Sequence, residues 1–235
     1  MTKDELAPDS LEVEGISRRQ QAVARSLDSA RLRAESRVQR FLDAASQLLN
    51  SRSGRDFTVQ EVVERSGQSL HSFYQYFGGK HELLLALLEE LVSSTTARLH
   101  EEIAREDEPL ERLHRLVVEY YRLCRPTEDT DAGEKRQVQV MGEFAQQLLT
   151  QHPKEAARVF SPLVSLFDDV LREATVAGSV RSGLRQGPIV GIVLEVVMFN
   201  TFSSTIGGQP LGADGDSAED LWNLLLNGIG ARSAS

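Results

Sequence analysis

Apolar residues in this chain recur at spacings of three and four, nowhere alternate at two, and follow no internal repeat. That period draws single apolar stripes along helices and leaves no pattern of a half-buried strand. The expected fold class is therefore all-α. Leu, Ala and Val carry most of the apolar content and aromatics are only 6%, which favours helix over sheet. At 235 residues the chain has ample length for a buried core, as one domain or as one small and one large.

A helix is expected over 29–50, where Val38, Phe41, Ala44, Ala45, Leu48 and Leu49 share a face. Ser17 is placed to cap a short basic helix ahead of it, and residues 1–16 mix proline, acids and small residues as a disordered tail does. A long helix is expected from Lys80 to about Ala104, followed by helices over 109–123, 134–150 and 153–177. Pro162 is expected to kink the last of these or to begin a new one. Strongly apolar 188–206 and the segment 218–229 complete the set.

The net charge of −9 is unevenly spread. Residues 17–80 carry eleven Lys or Arg against six acids, residues 1–16 one against five, and residues 81–235 fourteen against twenty-four. A basic segment on an acidic body fits either a polyanion-binding end or an ordinary solvated helical surface. One cysteine, Cys124, excludes an intramolecular disulfide and a cysteine-rich metal site, and suits a reducing compartment. No stretch has the apolar length of a signal peptide or a membrane span, so a soluble cytoplasmic protein is expected.

Chemistry concentrates between Phe57 and Lys80. Thr58-Val-Gln-Glu61 is a capping box, in which the Thr hydroxyl and the Glu carboxylate satisfy each other's backbone N–H groups. The helix it opens stops at Ser66-Gly67, and Ser69 caps a second, ending at Gly78-Gly79. Two short helices joined through a glycine form the pattern of a helix-turn-helix. Val59, Val62, Val63, Leu70, Phe73 and Phe77 are expected to interlock, leaving Gln68, Ser69, His71, Ser72 and Gln75 to enter a groove about 12 Å wide. Tyr74, Tyr76 and Lys80 are placed to meet phosphate oxygens.

These residues, Phe57-Thr-Val-Gln-Glu-Val-Val-Glu-Arg-Ser-Gly67, Ser69-Leu-His-Ser-Phe-Tyr-Gln-Tyr-Phe77 and Gly79-Lys-His-Glu-Leu83, resemble the tetracycline-repressor (TetR) family of transcriptional regulators. The likeness covers about residues 33–91 well. It implies an N-terminal helix-turn-helix three-helix domain and a C-terminal helical ligand-binding and dimerisation bundle. The boundaries expected are an extension over 1–28, a DNA-binding domain over 29–79 and a sensor over 80–235. The resemblance further implies a homodimer on a palindromic double-stranded DNA operator, released by a small-molecule effector. In it, Ser69, Leu70, His71 and Gln75 match positions facing base edges, and Thr58, Tyr74, Tyr76 and Lys80 match positions touching phosphate. Gln68 departs from a usual apolar residue, Gly79 from a usual capping side chain, and His81 from a usual acid.

The resemblance makes 188–206 and 218–229 the dimer bundle, with Trp222 and Leu225 joining it. It places Tyr120, Tyr121, Cys124, Met141, Phe144, Phe167 and Met198 on helices that enclose a ligand pocket, an apolar lining suited to a hydrophobic effector. The same residues also fit plain core. No cofactor and no metal are expected, because His71, His81, His100, His114 and His152 lack ligand spacing. Neither a phosphate loop nor a nucleophile elbow marks an enzyme. The alternatives left open are a helical dimeric interaction protein without specific DNA binding and a transcriptional activator.

Overall fold

The structure is a computed structural model that describes residues 18–51, 57–125, 131–183, 185–207 and 217–229. Among these residues the fold is all-α with no strand: α1 (Arg18–Asn50), α2 (Val59–Ser66), α3 (Leu70–Tyr76), α4 (Lys80–Ile103), α5 (Pro109–Cys124), α6 (Ala132–Gln151), α7 (Pro153–Val176), α8 (Gln186–Gly207) and α9 (Ser217–Ile229). By spatial contacts the chain divides between Arg40 and Phe41.

One expectation is corrected and another narrowed. The helix expected over 29–50 begins instead at Arg18 and runs uninterrupted for 33 residues. Nothing between Arg18 and Asn50 breaks it: the stretch has no glycine or proline, and Ala, Arg, Gln and Leu are good helix formers. Arg31 Nε pairs with Glu35 Oε1 at 2.7 Å, one turn on. Pro162 neither ends nor restarts α7, which passes through it. The Arg158 carbonyl, which loses the N–H at Pro162, accepts instead from the Ser161 hydroxyl at 2.9 Å. Pro162 also faces solvent, so its ring meets no packed neighbour.

Residues 41–83 build a small core from Phe41, Ala45, Leu49, Phe57, Val62, Val63, Phe73, Phe77 and Leu83, all buried. Phe73 is its centre. Its ring meets Phe41 edge-on at 5.4 Å and lies 5.4 Å from Phe77, which in turn meets Phe41 at 6.1 Å. Of the residues expected to interlock, Val59 is half-buried and Leu70, the first residue of α3, stays 42% exposed. Further along, α4 packs on α5 and α7, α7 on α5, α6 and α8, and α5 on α9. Their core includes Leu99, Ile103, Leu116, Leu148, Leu163 and Val170.

Two joints tie the helix-turn-helix to these later helices. At the first, α6 meets the end of α1: Arg136 Nη1 donates to the Ser51 carbonyl at 2.7 Å and Gln137 Nε2 to the Ser46 hydroxyl at 3.2 Å. Gly133 sits so close that a Cβ there would lie 2.4 Å from the Asn50 carbonyl oxygen. At the second, His81 in the first turn of α4 meets Glu155 in the first turn of α7 at 3.1 Å. The contact with His81 lowers the Glu155 carboxyl below its ordinary value.

The aromatic centre sets a measurable contrast. Phe73→Ala should cost about 3–5 kcal/mol in urea unfolding, whereas Leu70→Ala should cost less than about 1 kcal/mol. Equal losses would mean that α3 is not held by its aromatic face.

Candidate nucleic-acid interface and sensor cavity

The two short helices are closed at each end by local chemistry. Thr58 caps α2: its hydroxyl accepts from Glu61 N at 3.3 Å while its own N–H donates to Glu61 Oε2 at 2.7 Å. Gly67 ends α2 at φ +64°, left-handed backbone that L side chains adopt reluctantly, with its N–H on the Glu64 and Val63 carbonyls. Ser69 caps α3 by accepting from Ser72 N at 3.1 Å. Gly79 brings no capping side chain to α4, and Glu82 compensates by accepting from Gly78 N at 2.7 Å.

The exposed side chains of α3 are Leu70 at its first position and His71, Tyr74 and Gln75 on the side turned away from Phe73. His71 Nε2 and Gln75 Nε2 lie 3.2 Å apart, joined across one turn, so the pair presents a shared hydrogen-bonding edge. Tyr74 is 56% exposed and Tyr76 half-buried. Lys80 Nζ stands 4.5 Å over the Phe57 ring, a cation–π contact that positions the ammonium beside the start of α4. Thr58 and Ser69 are exposed and Gln68 half-buried. Ser72 does not join the expected face: its hydroxyl is buried and has no hydrogen-bond partner.

A small cavity of about 20 Å³ lies between α5, α7, α8 and α9. Its walls are apolar, from Leu113, Val117, Phe167, Val190, Val193 and Trp222 among others. That volume holds no more than about one water-sized body. Of the expected pocket residues, Phe167 lines this cavity. Tyr120 packs edge-on against Phe167 at 5.5 Å and is buried, as are Tyr121, Met141 and Phe144. Tyr121 accepts from Arg125 at 2.8 Å, and Phe144 faces His81 at 5.5 Å. The Met198 side chain lies outside the described residues.

Trp222 and Leu225, expected to join a dimer contact, line the cavity, and the Trp222 ring lies 5.0 Å from His114 of α5. His114 in turn meets Glu219 at 2.8 Å, which pins α9 to α5. Beyond the cavity, α8 presents further apolar side chains outward, as its sequence suggested. Val190, Val193 and Val197 are buried at spacings of three and four, while Ile192 is 57% and Val196 39% exposed on another side. Leu224 of α9 is 72% exposed. Their signal was present in the sequence: α8 is apolar around more than one face, which a single core does not require.

Cys124 makes a test of how closed this region is. Burial pushes its thiol up to about 12, although a hydrogen bond with Tyr120 pulls the other way. At pH 8 only on the order of one molecule in 10,000 then carries the reactive thiolate. The folded protein should resist a thiol-specific alkylating reagent at pH 8 and react at once in guanidinium. Rapid labelling of the folded chain would show that α5 opens readily.

Comparison with known proteins bears on the same residues. Residues 41–87 match the family of bacterial regulatory proteins described as the tetR family. The HTH-type transcriptional regulator BetI of Brucella anthropi is 28% identical over 97 residues, which are 41% of this chain and 50% of that protein. The chain thus spans about half the length of the curated relatives it matches first. Thermus thermophilus FadR, a TetR-family repressor solved with lauroyl-CoA, superposes with a TM-score of 0.62 at 21% identity, covering 84% of this chain and 97% of that one. Bacillus subtilis FadR, solved with stearoyl-CoA, gives 0.61 at 17% identity over 81% and 98%. At those identities the likeness is one of fold. The capped pair α2 and α3 lies inside the segment that the tetR-family model matches, residues 41–87, with an all-helical body behind it.

Proposed function

We propose that the protein is a ligand-responsive transcriptional repressor, a regulator rather than an enzyme, that acts in the cytoplasm and binds a palindromic operator as a homodimer. The observation that carries this reading is the exposed face of α3, Leu70, His71, Tyr74 and Gln75, held rigidly by Phe73 against Phe41 and Phe77. Hydrogen-bonding side chains on a fixed helix read base edges in a major groove. Thr58, Tyr74, Tyr76 and Lys80 set its register on the phosphates. Ser69 joins them at the start of the helix, and Gln68 supports the turn. The functional division follows the expected boundaries: a reading head over 29–79, preceded by its extension, and a sensor over 80–235.

Dimerisation follows from Ile192, Val196 and Leu224, apolar side chains left exposed beside the Val190 stripe. A cavity with an apolar lining at Phe167 and Val193 suits an apolar effector. An effector larger than a water must part α8 and α9 from α5 and α7 to enter. That movement supports a switch, since a ligand shifts DNA binding only by preferring one arrangement over another. The joints at Gly133 and at His81–Glu155 lie where such a movement reaches the helix-turn-helix.

Selection of bound duplexes from a random pool at two salt concentrations tests the reading directly. An inverted repeat recovered at both is expected; binding that carries no motif and disappears at the higher salt would favour an interaction protein instead. His71→Ala and Gln75→Ala should each lower affinity for the selected site by about tenfold or more, and leave binding to random duplex unchanged. Ile192→Glu with Val196→Glu should yield a monomer in sedimentation. Lauroyl-CoA serves as a first effector probe, because FadR proteins were solved with acyl-CoA ligands. Val193→Ile, which adds one methylene at the cavity wall, should weaken release by any effector that works while preserving operator binding. Release undiminished by Val193→Ile would place the effector elsewhere.

A further inference from the structure

Positive charge in this chain gathers in one stretch, and that stretch is not the helix-turn-helix. Residues 41–80 hold four basic and four acidic residues, and residues 81–235 fourteen against twenty-four. The excess sits in residues 18–40, seven arginines against two acids, all within the first part of α1. A helix turns about 100° per residue, and around that circle positions 25–40 sort by chemistry. Arg25, Arg33, Arg37 and Arg40 fall within about one third of the circumference, and the other positions in that arc are Ser26, Ser29 and Ser36. All of them are exposed. Asp28, Glu35 and every apolar residue of 25–40 lie outside it.

The row does not serve the helix that carries it. Like charges four and three apart, as at Arg33 and Arg37 and at Arg37 and Arg40, weaken an isolated helix. Glu35 pairs with Arg31 at 2.7 Å, outside the arc. Within the arc, Arg33 Nε donates to the Ser29 carbonyl at 3.1 Å, and the Ser29 hydroxyl donates to the Arg25 carbonyl at 2.8 Å. Arginine and serine are donors that meet phosphate oxygens, and they do so without reading sequence. Sixteen helical residues extend roughly 24 Å, alongside about seven phosphates of one DNA strand. A lipid surface is the poorer fit, because the arc offers no apolar side chain to bury in it.

We propose that the arginine–serine face of α1 binds duplex DNA through its phosphates, as an attachment surface made of different residues from the base-reading side chains of α3. Its place in regulation rests on the DNA-binding reading above, whereas phosphate attachment does not. Each arginine that neutralises a phosphate releases a condensed counterion, so the face adds affinity for any sequence and makes it salt-dependent. It holds an otherwise acidic chain on DNA while α3 samples sequence.

The full chain tests this with Arg25→Gln, Arg33→Gln, Arg37→Gln and Arg40→Gln combined, glutamine being close to arginine as a helix former. Affinity is measured over a salt series for a random-sequence 30-base-pair duplex and for the inverted repeat recovered by selection. The glutamine variant should bind each duplex at least about tenfold more weakly near 0.1 M salt, with their ratio unchanged. Its log–log salt slope should be shallower by about three to four per chain bound. Lysine at the same four positions should keep the wild-type slope. A selected repeat and a random duplex bound equally well by wild type and glutamine variant would overturn the face and keep the regulator reading. Loss of random-duplex binding in the glutamine variant, where selection recovers no repeat, would keep the face and sink that reading. Equal losses with glutamine and with lysine would mean that charge is not what the face supplies. A loss confined to vesicles containing phosphatidylglycerol would reassign it to a lipid surface, and either of these two results overturns the proposal.

Discussion

The placing of the two short helices, and with it the proposed reading of DNA, depends on three phenylalanine rings. A helix of seven residues has almost no stability of its own, because nucleation costs more than two turns of hydrogen bonds return. The helix α3 exists as a rigid object because Phe73 and Phe77 sit within 5.4 Å of each other and both meet Phe41. The caps at Thr58, Gly67 and Ser69 then fix where the chain enters and leaves, so the ring cluster has one arrangement to hold. Leu70, His71, Tyr74 and Gln75 are thereby presented at a fixed angle, which base recognition needs more than it needs charge.

The same rigidity makes distant control possible. A floppy reading head would absorb any movement in the body, whereas a packed one transmits it as displacement. The two joints are of different kinds. At Gly133 the contact is backbone against backbone, with no room for even a methyl group, so α6 and the end of α1 shift together or not at all. At His81 the contact is a single polar pair with Glu155, on the turn next to Lys80. A body that moves its seventh helix therefore pulls at the residue adjoining Lys80, the lysine proposed to meet phosphate. The departure of His81 from the acid usual at that position becomes intelligible in this light: it meets an acid on α7.

Much of the fold was legible because its determinants are local. Capping residues, glycine stops and three-four spacing fixed α2 to α7 and α9 to within a few residues, since each boundary has its cause within one turn of itself. What escaped the sequence was the product of contact or of compensation. The sequence suggested a short basic helix ahead of a separate one over 29–50, yet an unbroken run of helix formers joins them into the single α1. Pro162 reads as a break until the Ser161 hydroxyl is seen on the orphaned Arg158 carbonyl. Ser72 has the chemistry of a groove-reading residue, and only its position on α3 reveals that its hydroxyl faces inward. Trp222 could not be sorted between a dimer face and an internal cavity without knowing that α9 is tied to α5 through His114 and Glu219.

A neutral reading head beside a strongly basic arm separates two quantities that DNA-binding proteins usually mix. Phosphate attraction supplies affinity without sequence information, and base contacts supply information at modest affinity. In residues 41–80 the charges cancel, so under the proposed function α3 would contribute little to the first and its polar face to the second. The arginines of 18–40 would then carry the first. Affinity in such a design would be tuned through the arm, with no change in which sequence is preferred. A head that relied on its own charge would have to trade recognition for attachment with every substitution; here the two lie on different stretches of the chain, and each is free to change without the other.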